Sequence, residues 1–128
     1  MNTWESGRES NLLDDIIAGR KTIEGRLNKS KFAVYQIGDQ IWLRRDYRDK
    51  NGILQDGEPH VALVEITDIV NYQSFLEMAS AEDFKTIIPY ADSPQQTADE
   101  YNKYYSNSDQ TKFGVLAIKI KFIRLSKD

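Results

Sequence analysis

Residues Phe113–Leu125 alternate more cleanly than any other stretch of the chain. Leu116, Ile118, Ile120 and Phe122 share one parity, and Ala117, Lys119, Lys121 and Ile123 share the other. Successive side chains of a strand point to opposite faces, so this run predicts a long strand with one strongly apolar face. That face needs partner strands beside it and cover above it. Three further segments supply partners: Thr22–Leu27, Gln40–Asp46 and the β-branched Val61–Val70. In the second of these, Ile41 and Leu43 fall on one face, and Trp42 and Arg44 on the other. Ile37-Gly38-Asp39 reads as a turn. Asn51-Gly52, inside the polar stretch Asp46–Pro59, reads as a hairpin signal.

Helical spacing supplies the cover. Leu12, Leu13, Ile16 and Ile17 make an apolar stripe between a Ser10 or Asn11 cap and Gly19. Tyr72–Ile88 reads as two short helices with Ser80 as the cap between them, ending at Pro89. Ser93-Pro94 opens a further helix running through Ala98, Tyr101, Tyr104 and Tyr105, because proline suits the first helical turn. Helix, strands, helical insert and long final strand predict a single α+β domain over residues 1–128. Its expected form is a small, partly closed β-barrel with helices at one end.

Composition excludes several chemistries. With no cysteine in 128 residues there is no disulfide, thiolate nucleophile or thiolate metal site. His60 is the lone histidine, so no zinc site and no metal cofactor is expected. No nucleophile elbow and no phosphate-binding Gly-rich loop with Lys-Ser/Thr occurs. The opening MNTWESGRES has no apolar signal core, and no apolar run is long enough to span a bilayer. The expectation is a cytoplasmic protein with no membrane partner.

The net charge of −3 conceals an uneven distribution. Residues 20–50 sum to +5 and residues 111–128 to +4, whereas residues 51–110 sum to −9. If the basic strands share a sheet, Arg44, Arg45, Lys119 and Lys121 would extend a positive surface able to steer a polyanion. The same runs fit ordinary solvated faces equally well.

Gly19-Arg20-Lys21-Thr22-Ile23-Glu24-Gly25-Arg26 is a poor recipe for a core. Lys21 suits a phosphate contact, or a base or nucleophile if burial or a neighbouring cation lowers its pKa from about 10.4. Glu24 and Arg26 are two apart and share a strand face. Arg26 offers a planar fork to phosphate or base, and Glu24 an acceptor for a base amino group. An exposed ion pair of little energetic weight is the plainer account. Strict alternation sets Lys21 on the opposite face, so all three converge only if the strand starts after Lys21, with Gly19 allowing the bend. A lysine paired with Glu24 would stay charged, which favours binding over base catalysis.

In this order and spacing the chain resembles the ASCH domains of the PUA-like superfamily. Their Gly-x-Lys-x-x-Glu-x-Arg signature, directly after a first helix, is matched at Gly19, Lys21, Glu24 and Arg26. Ile37-Gly38-Asp39 followed by Ile41, the insert Phe75–Pro89 with Ser93–Tyr105, and Phe113–Ile118 are similar to the rest of the pattern. The resemblance implies a PUA-like mixed β-barrel with flanking helices. It also implies a cleft, lined by the signature, that takes RNA or a nucleotide-like small molecule. One branch, the bacterial acetylcytidine amidohydrolases, places a catalytic lysine where Lys21 stands. Its threonine three residues later is Glu24 here, and Thr22 next to Lys21 would point the other way in a strand. A hydrolase of an acylated nucleoside or of RNA, using Lys21 with Thr22, is therefore the alternative to a binding domain. A cleft filled by the protein's own side chains would mark a third case, an interaction module that keeps only the fold. Trp4 either caps the barrel or stacks on a base at the cleft, and Tyr104 either packs in an aromatic stripe or serves a ligand.

Overall fold

The computed structural model describes residues 2–126. Met1, Lys127 and Asp128, which enter the charge sums and the 1–128 extent, lie outside the described residues. Five strands form one mixed sheet: β1 (Thr3–Glu9), β2 (Ile23–Leu27), β3 (Gln40–Arg48), β4 (Leu54–Tyr72) and β5 (Val115–Leu125). Their spatial order is β1-β3-β4-β5-β2, with β1 and β3 parallel and every other pair antiparallel. Four helices flank it: α1 (Ser10–Ile17), α2 (Phe75–Ala81), α3 (Pro94–Asn102) and α4 (Asn107–Phe113). This is the expected α+β class, a curled half-barrel sheet with flanking helices.

The alternation in β5 shapes both cores. Leu116, Ile118 and Ile120 join Leu13 and Ile16 of α1 and Ile41, Leu43, Val64 and Ile66 of β3 and β4 in one buried cluster. Val115 and Ala117, on the opposite parity, join Ile23 and Leu27 of β2, Phe75 and Met78 of α2, and Ala98 of α3 in another. The final strand is thus buried on both faces at its start. Ala117 is fully buried, and only Lys119 onward shows the solvent alternation of a half-covered strand.

Several expected boundaries shift. The polar stretch Asp46–Pro59 is mostly strand, because β3 continues to Arg48 and β4 begins at Leu54. The hairpin between them turns at Asn51-Gly52, where Asp49 Oδ1 accepts from the backbone N–H groups of Asn51 and Ile53. Register shifts next to Arg45 absorb the irregular residues around Gly57 and Pro59. Ser80 is not a cap: it lies inside α2, whose N-cap is Ser74, accepting from Glu77 N–H at 3.0 Å. Asp83 caps the following 3-10 turn, Phe84–Thr86, in its place. The helix opened by Ser93-Pro94 stops at Asn102, so Tyr104 and Tyr105 follow it in a turn. Phe113 ends α4 and does not begin the last strand.

The strand β1 has almost no apolar residues to announce it. Its start is fixed by Asp39, at the predicted Ile37-Gly38-Asp39 turn. The buried Asp39 carboxylate accepts from Asn2 N–H at 2.9 Å, Trp4 Nε1 at 2.9 Å and Gln36 N–H at 3.0 Å. Burial alone would raise this carboxyl's pKa, but the three donors hold it below the ordinary aspartate value. Trp4 in turn packs against Tyr35, ring centroids 5.2 Å apart. The Tyr35 hydroxyl is buried and has no hydrogen-bond partner among the described residues. A buried hydroxyl with no partner costs about 1–3 kcal/mol of desolvation. Tyr35→Phe is therefore expected to leave the urea-unfolding free energy unchanged or raise it. A clear loss of stability in that variant would show that the hydroxyl is satisfied.

Candidate functional site

The sheet does not close on itself, and its two edges, β1 and β2, meet across a line of buried charge. Glu24 on β2 is only 2% exposed. Its Oε1 accepts from Arg8 Nε of β1 at 2.6 Å, and its Oε2 lies 3.2 Å from Arg26 Nη1. Lys21 Nζ stands 4.0 Å from Oε1. Three cations thus surround one carboxylate.

Local folding explains why these residues meet. After α1, Gly19 adopts φ +80°, a left-handed conformation that glycine enters without strain. Arg20 and Lys21 N–H groups then both donate to Asp15 O, which turns the chain back. Strand β2 begins only at Ile23, so Lys21 precedes the alternation and its side chain reaches the same side as Glu24 and Arg26. Ile23, Gly25 and Leu27 take the other parity, toward α2 and α3. A Cβ on Gly25 would stand 2.9 Å from Tyr101 Cζ and 3.0 Å from Met78 Cε. The absence of that Cβ lets Tyr101 lie against the strand, with its hydroxyl accepting from Gly25 N–H at 3.2 Å. Its ring stacks on Phe75 at 4.4 Å and 3°.

The protonation of this cluster follows from two opposing effects. Burial would push the Glu24 carboxyl up, but Arg8, Lys21 and Arg26, with the Arg8 hydrogen bond, hold it at about 2. Burial dominates at Lys21, taking it from 10.5 to about 8 against the attraction of Glu24, and Arg26 and Arg8 act in the same direction as burial. Lys21 is 3% exposed and donates to Ile23 O at 2.8 Å and Ile87 O at 2.6 Å. An ammonium has three hydrogens, so one remains. The short partner of Glu24 is Arg8, and desolvation outweighs the carboxylate at Lys21, but at about 8 the lysine still carries its proton near neutrality, as a lysine beside Glu24 is expected to.

A cavity of about 590 Å³ opens above this cluster. Arg8, Lys21, Glu24 and Arg26 line it, with Tyr90, Tyr101, Tyr104 and Tyr105 and the ring of Phe32. Tyr104, at 71% exposure, stands at its mouth. The space is open and not filled by the protein's own side chains. Trp4 and Thr22 do not line it. Trp4 packs beside the first core through Asp39 and Tyr35, in keeping with a capping residue. Thr22 spends its backbone on Thr86 O and Ile120 N–H. The outer cations are scattered and mostly neutralised. Arg44 pairs with Asp46 and Asp56, Arg45 with Asp14, and Lys119 with Glu82, whereas Lys121 has no such carboxylate among the described residues.

Arg8 is the charged residue of the cleft base that sequence reasoning missed, and Phe32 and Tyr90 of its walls were missed with it. The signal for Arg8 was faint: Trp4, Ser6 and Arg8 share one strand parity, but two of the three are polar. Removing the carboxylate that two buried cations and the partly exposed Arg26 share should cost about 3–5 kcal/mol, so Glu24→Gln is expected to lower the unfolding free energy by that order in urea titration. A carboxyl at 4.5 when unfolded and about 2 when folded contributes stability that is full above pH 4.5. That contribution is lost as pH falls toward 2. The wild-type protein should show this acid slope, and Glu24→Gln should lack its share of it.

A family model described as ASCH domain matches residues 9–124. No curated protein matches the chain. Among solved structures, the hypothetical protein PH0355 is 30% identical, with 94% of this chain and 99% of that one covered and a TM-score of 0.77. The protein PF0455 from Pyrococcus furiosus is 28% identical, with 95% and 98% covered and a TM-score of 0.73. The ASCH domain from Lactobacillus crispatus is 16% identical, with 94% and 79% covered and a TM-score of 0.62, a likeness of fold. With the family pattern spanning nearly all of the described strands and helices, this chain belongs to the ASCH domain family.

Proposed function

We propose that the chain is an RNA- or nucleotide-binding ASCH domain whose ligand occupies the cleft lined by Lys21, Glu24 and Arg26. One observation carries this reading: two buried cations, Arg8 and Lys21, and the partly exposed Arg26 surround the Glu24 carboxylate at the base of an open cavity with tyrosine walls. Such a base suits oxyanions or carbonyl oxygens, because charge-assisted hydrogen bonds are strong where water is excluded. The tyrosines suit a nucleobase, since every base offers a flat face for stacking. Arg26 presents the planar fork, with its guanidinium 5.5 Å from the Phe32 ring centroid. Glu24 orients the cations, and Tyr104 is the rim residue placed for stacking. Trp4 is not needed in this reading. With Arg44, Arg45 and Lys119 paired to carboxylates, Lys121 is the one of these four cations with no carboxylate partner among the described residues.

Hydrolysis of an acylated nucleoside is a second reading, favoured by the Lys21 pKa of about 8. A neutral amine there would spend both hydrogens on Ile23 O and Ile87 O and leave its lone pair free to accept a proton. Thr22 has no place in that chemistry, because it does not line the cleft.

Titration of labelled RNA and of nucleotides at low and high salt tests the binding reading. Affinity should fall with salt as phosphates are neutralised, and Lys21→Ala and Arg26→Ala should each weaken it about tenfold or more. Undetectable binding at low salt, or unchanged binding in both variants, would contradict it. Turnover of acetylated cytidine above a Lys21→Ala control would move the assignment to the hydrolase.

A further inference from the structure

The base of the cleft is not a generic positive patch, because its hydrogen-bonding capacity is one-sided. Arg8 spends Nε on Glu24, and Nη1 on Ser6 Oγ and Gly7 O. Arg26 spends Nη1 on Gly25 O. Lys21 spends two of three hydrogens on backbone carbonyls. What remains among the described residues is Arg8 Nη2, Arg26 Nε and Nη2, one Lys21 hydrogen and the Tyr101 O–H, whose oxygen already accepts from Gly25. Every one of these is a donor. Glu24 Oε1 accepts from Arg8 Nε, and Oε2 lies in an ion pair 3.2 Å from Arg26 Nη1. A nucleobase edge carries donors beside acceptors, whereas among Arg8, Lys21, Glu24 and Arg26 only the ion-paired Glu24 carboxylate can accept. A phosphate carries acceptors alone.

Charge narrows the choice further. Arg8, Lys21 and Arg26 against Glu24 leave a net charge of about +2 when all four are ionised, as basic side chains and a carboxylate are near neutrality. A phosphate monoester approaches −2 above its second ionisation near pH 6. A phosphodiester carries one charge and a nucleoside none, so each leaves buried cations uncompensated. Depth favours a chain end as well. Arg8 and Lys21 are 5% and 3% exposed although both line the cavity. An internal phosphate has chain leaving on both sides and would have to thread that depth twice.

Resting on the cleft being a nucleotide site, we propose that its ligand is a terminal phosphate monoester, of a free nucleotide or of an RNA end. The phosphate sits among Arg8, Lys21, Arg26 and Tyr101, and the base stacks at the Tyr104 rim. The ligand therefore enters phosphate first. With most of the outer cations paired to carboxylates, a free nucleotide should satisfy the site nearly as well as an RNA end.

Calorimetric titration of the full chain tests this with a nucleoside, its 5′- and 3′-monophosphates, its 2′,3′-cyclic phosphate, and a short RNA with and without a terminal phosphate. One or both monophosphates should bind at least about tenfold tighter than the nucleoside and the cyclic diester, and the terminal phosphate should strengthen RNA binding comparably. Arg26→Gln, at a partly exposed side chain, should erase most of that preference. Tyr104→Ala should weaken nucleoside and monophosphate alike and leave their ratio unchanged. Affinity should peak between about pH 6, where the monoester becomes a dianion, and about pH 8, where Lys21 loses its proton. The charged groups acting on Lys21 are Glu24 and Arg26 of β2, Arg8 of β1 and Asp15 of α1. Equal binding of nucleoside and monophosphate, or of RNA with and without its end phosphate, would overturn the phosphate-first orientation while leaving the cleft a nucleotide site. Binding of none of these would overturn both.

Discussion

A carboxylate buried where the sheet fails to close governs this molecule. Glu24 stands on one edge strand and Arg8 on the other, and their 2.6 Å contact joins the two edges without backbone pairing. Exposed sheet edges are a liability unless they are covered. Here side chains cover them. Lys21 takes Ile23 O, Arg26 takes Gly25 O, Arg8 takes Gly7 O and Tyr101 takes Gly25 N–H. The cleft is the space left along this seam, so the same charges that tie the edges together also form its base.

That arrangement sets the electrostatics of the site. One carboxylate cannot neutralise three cations, and the lysine among them is lowered first by burial and further by the two arginines. Arginine keeps its proton under nearly all conditions, whereas lysine gives it up readily when buried. Lys21 therefore absorbs the strain of the cluster, and an anion in the cleft would relieve it.

Much of this was legible in the sequence. The β5 alternation, the α1 stripe and the Gly19–Arg26 octet identify the final strand, the first helix and the two residues that flank the cleft on β2. The requirement that β2 start after Lys21 follows from parity, and the structure meets it at Ile23. The misses share a cause. Strand β1 is specified by a buried arginine, a serine and the Asp39 hydrogen bonds, none of which has hydrophobic periodicity. The first half of β4 is held by a hairpin and by register shifts around Gly57 and Pro59, residues that read as loop. The Tyr101–Tyr104–Tyr105 spacing looked helical, but α3 ends at Asn102, which frees Tyr104 to stand at the cleft mouth. Long-range polar pairing leaves little trace in local pattern, and this site is built from it.

Side-chain NMR of Lys21, following its Cε resonance through a pH titration with and without a nucleoside monophosphate, tests the central claim most directly. Burial beside two arginines predicts a midpoint near 8 in the free protein, and a clear upward move when the phosphate fills the cleft. A midpoint at the ordinary value of 10.5, unmoved by ligand, would contradict the account.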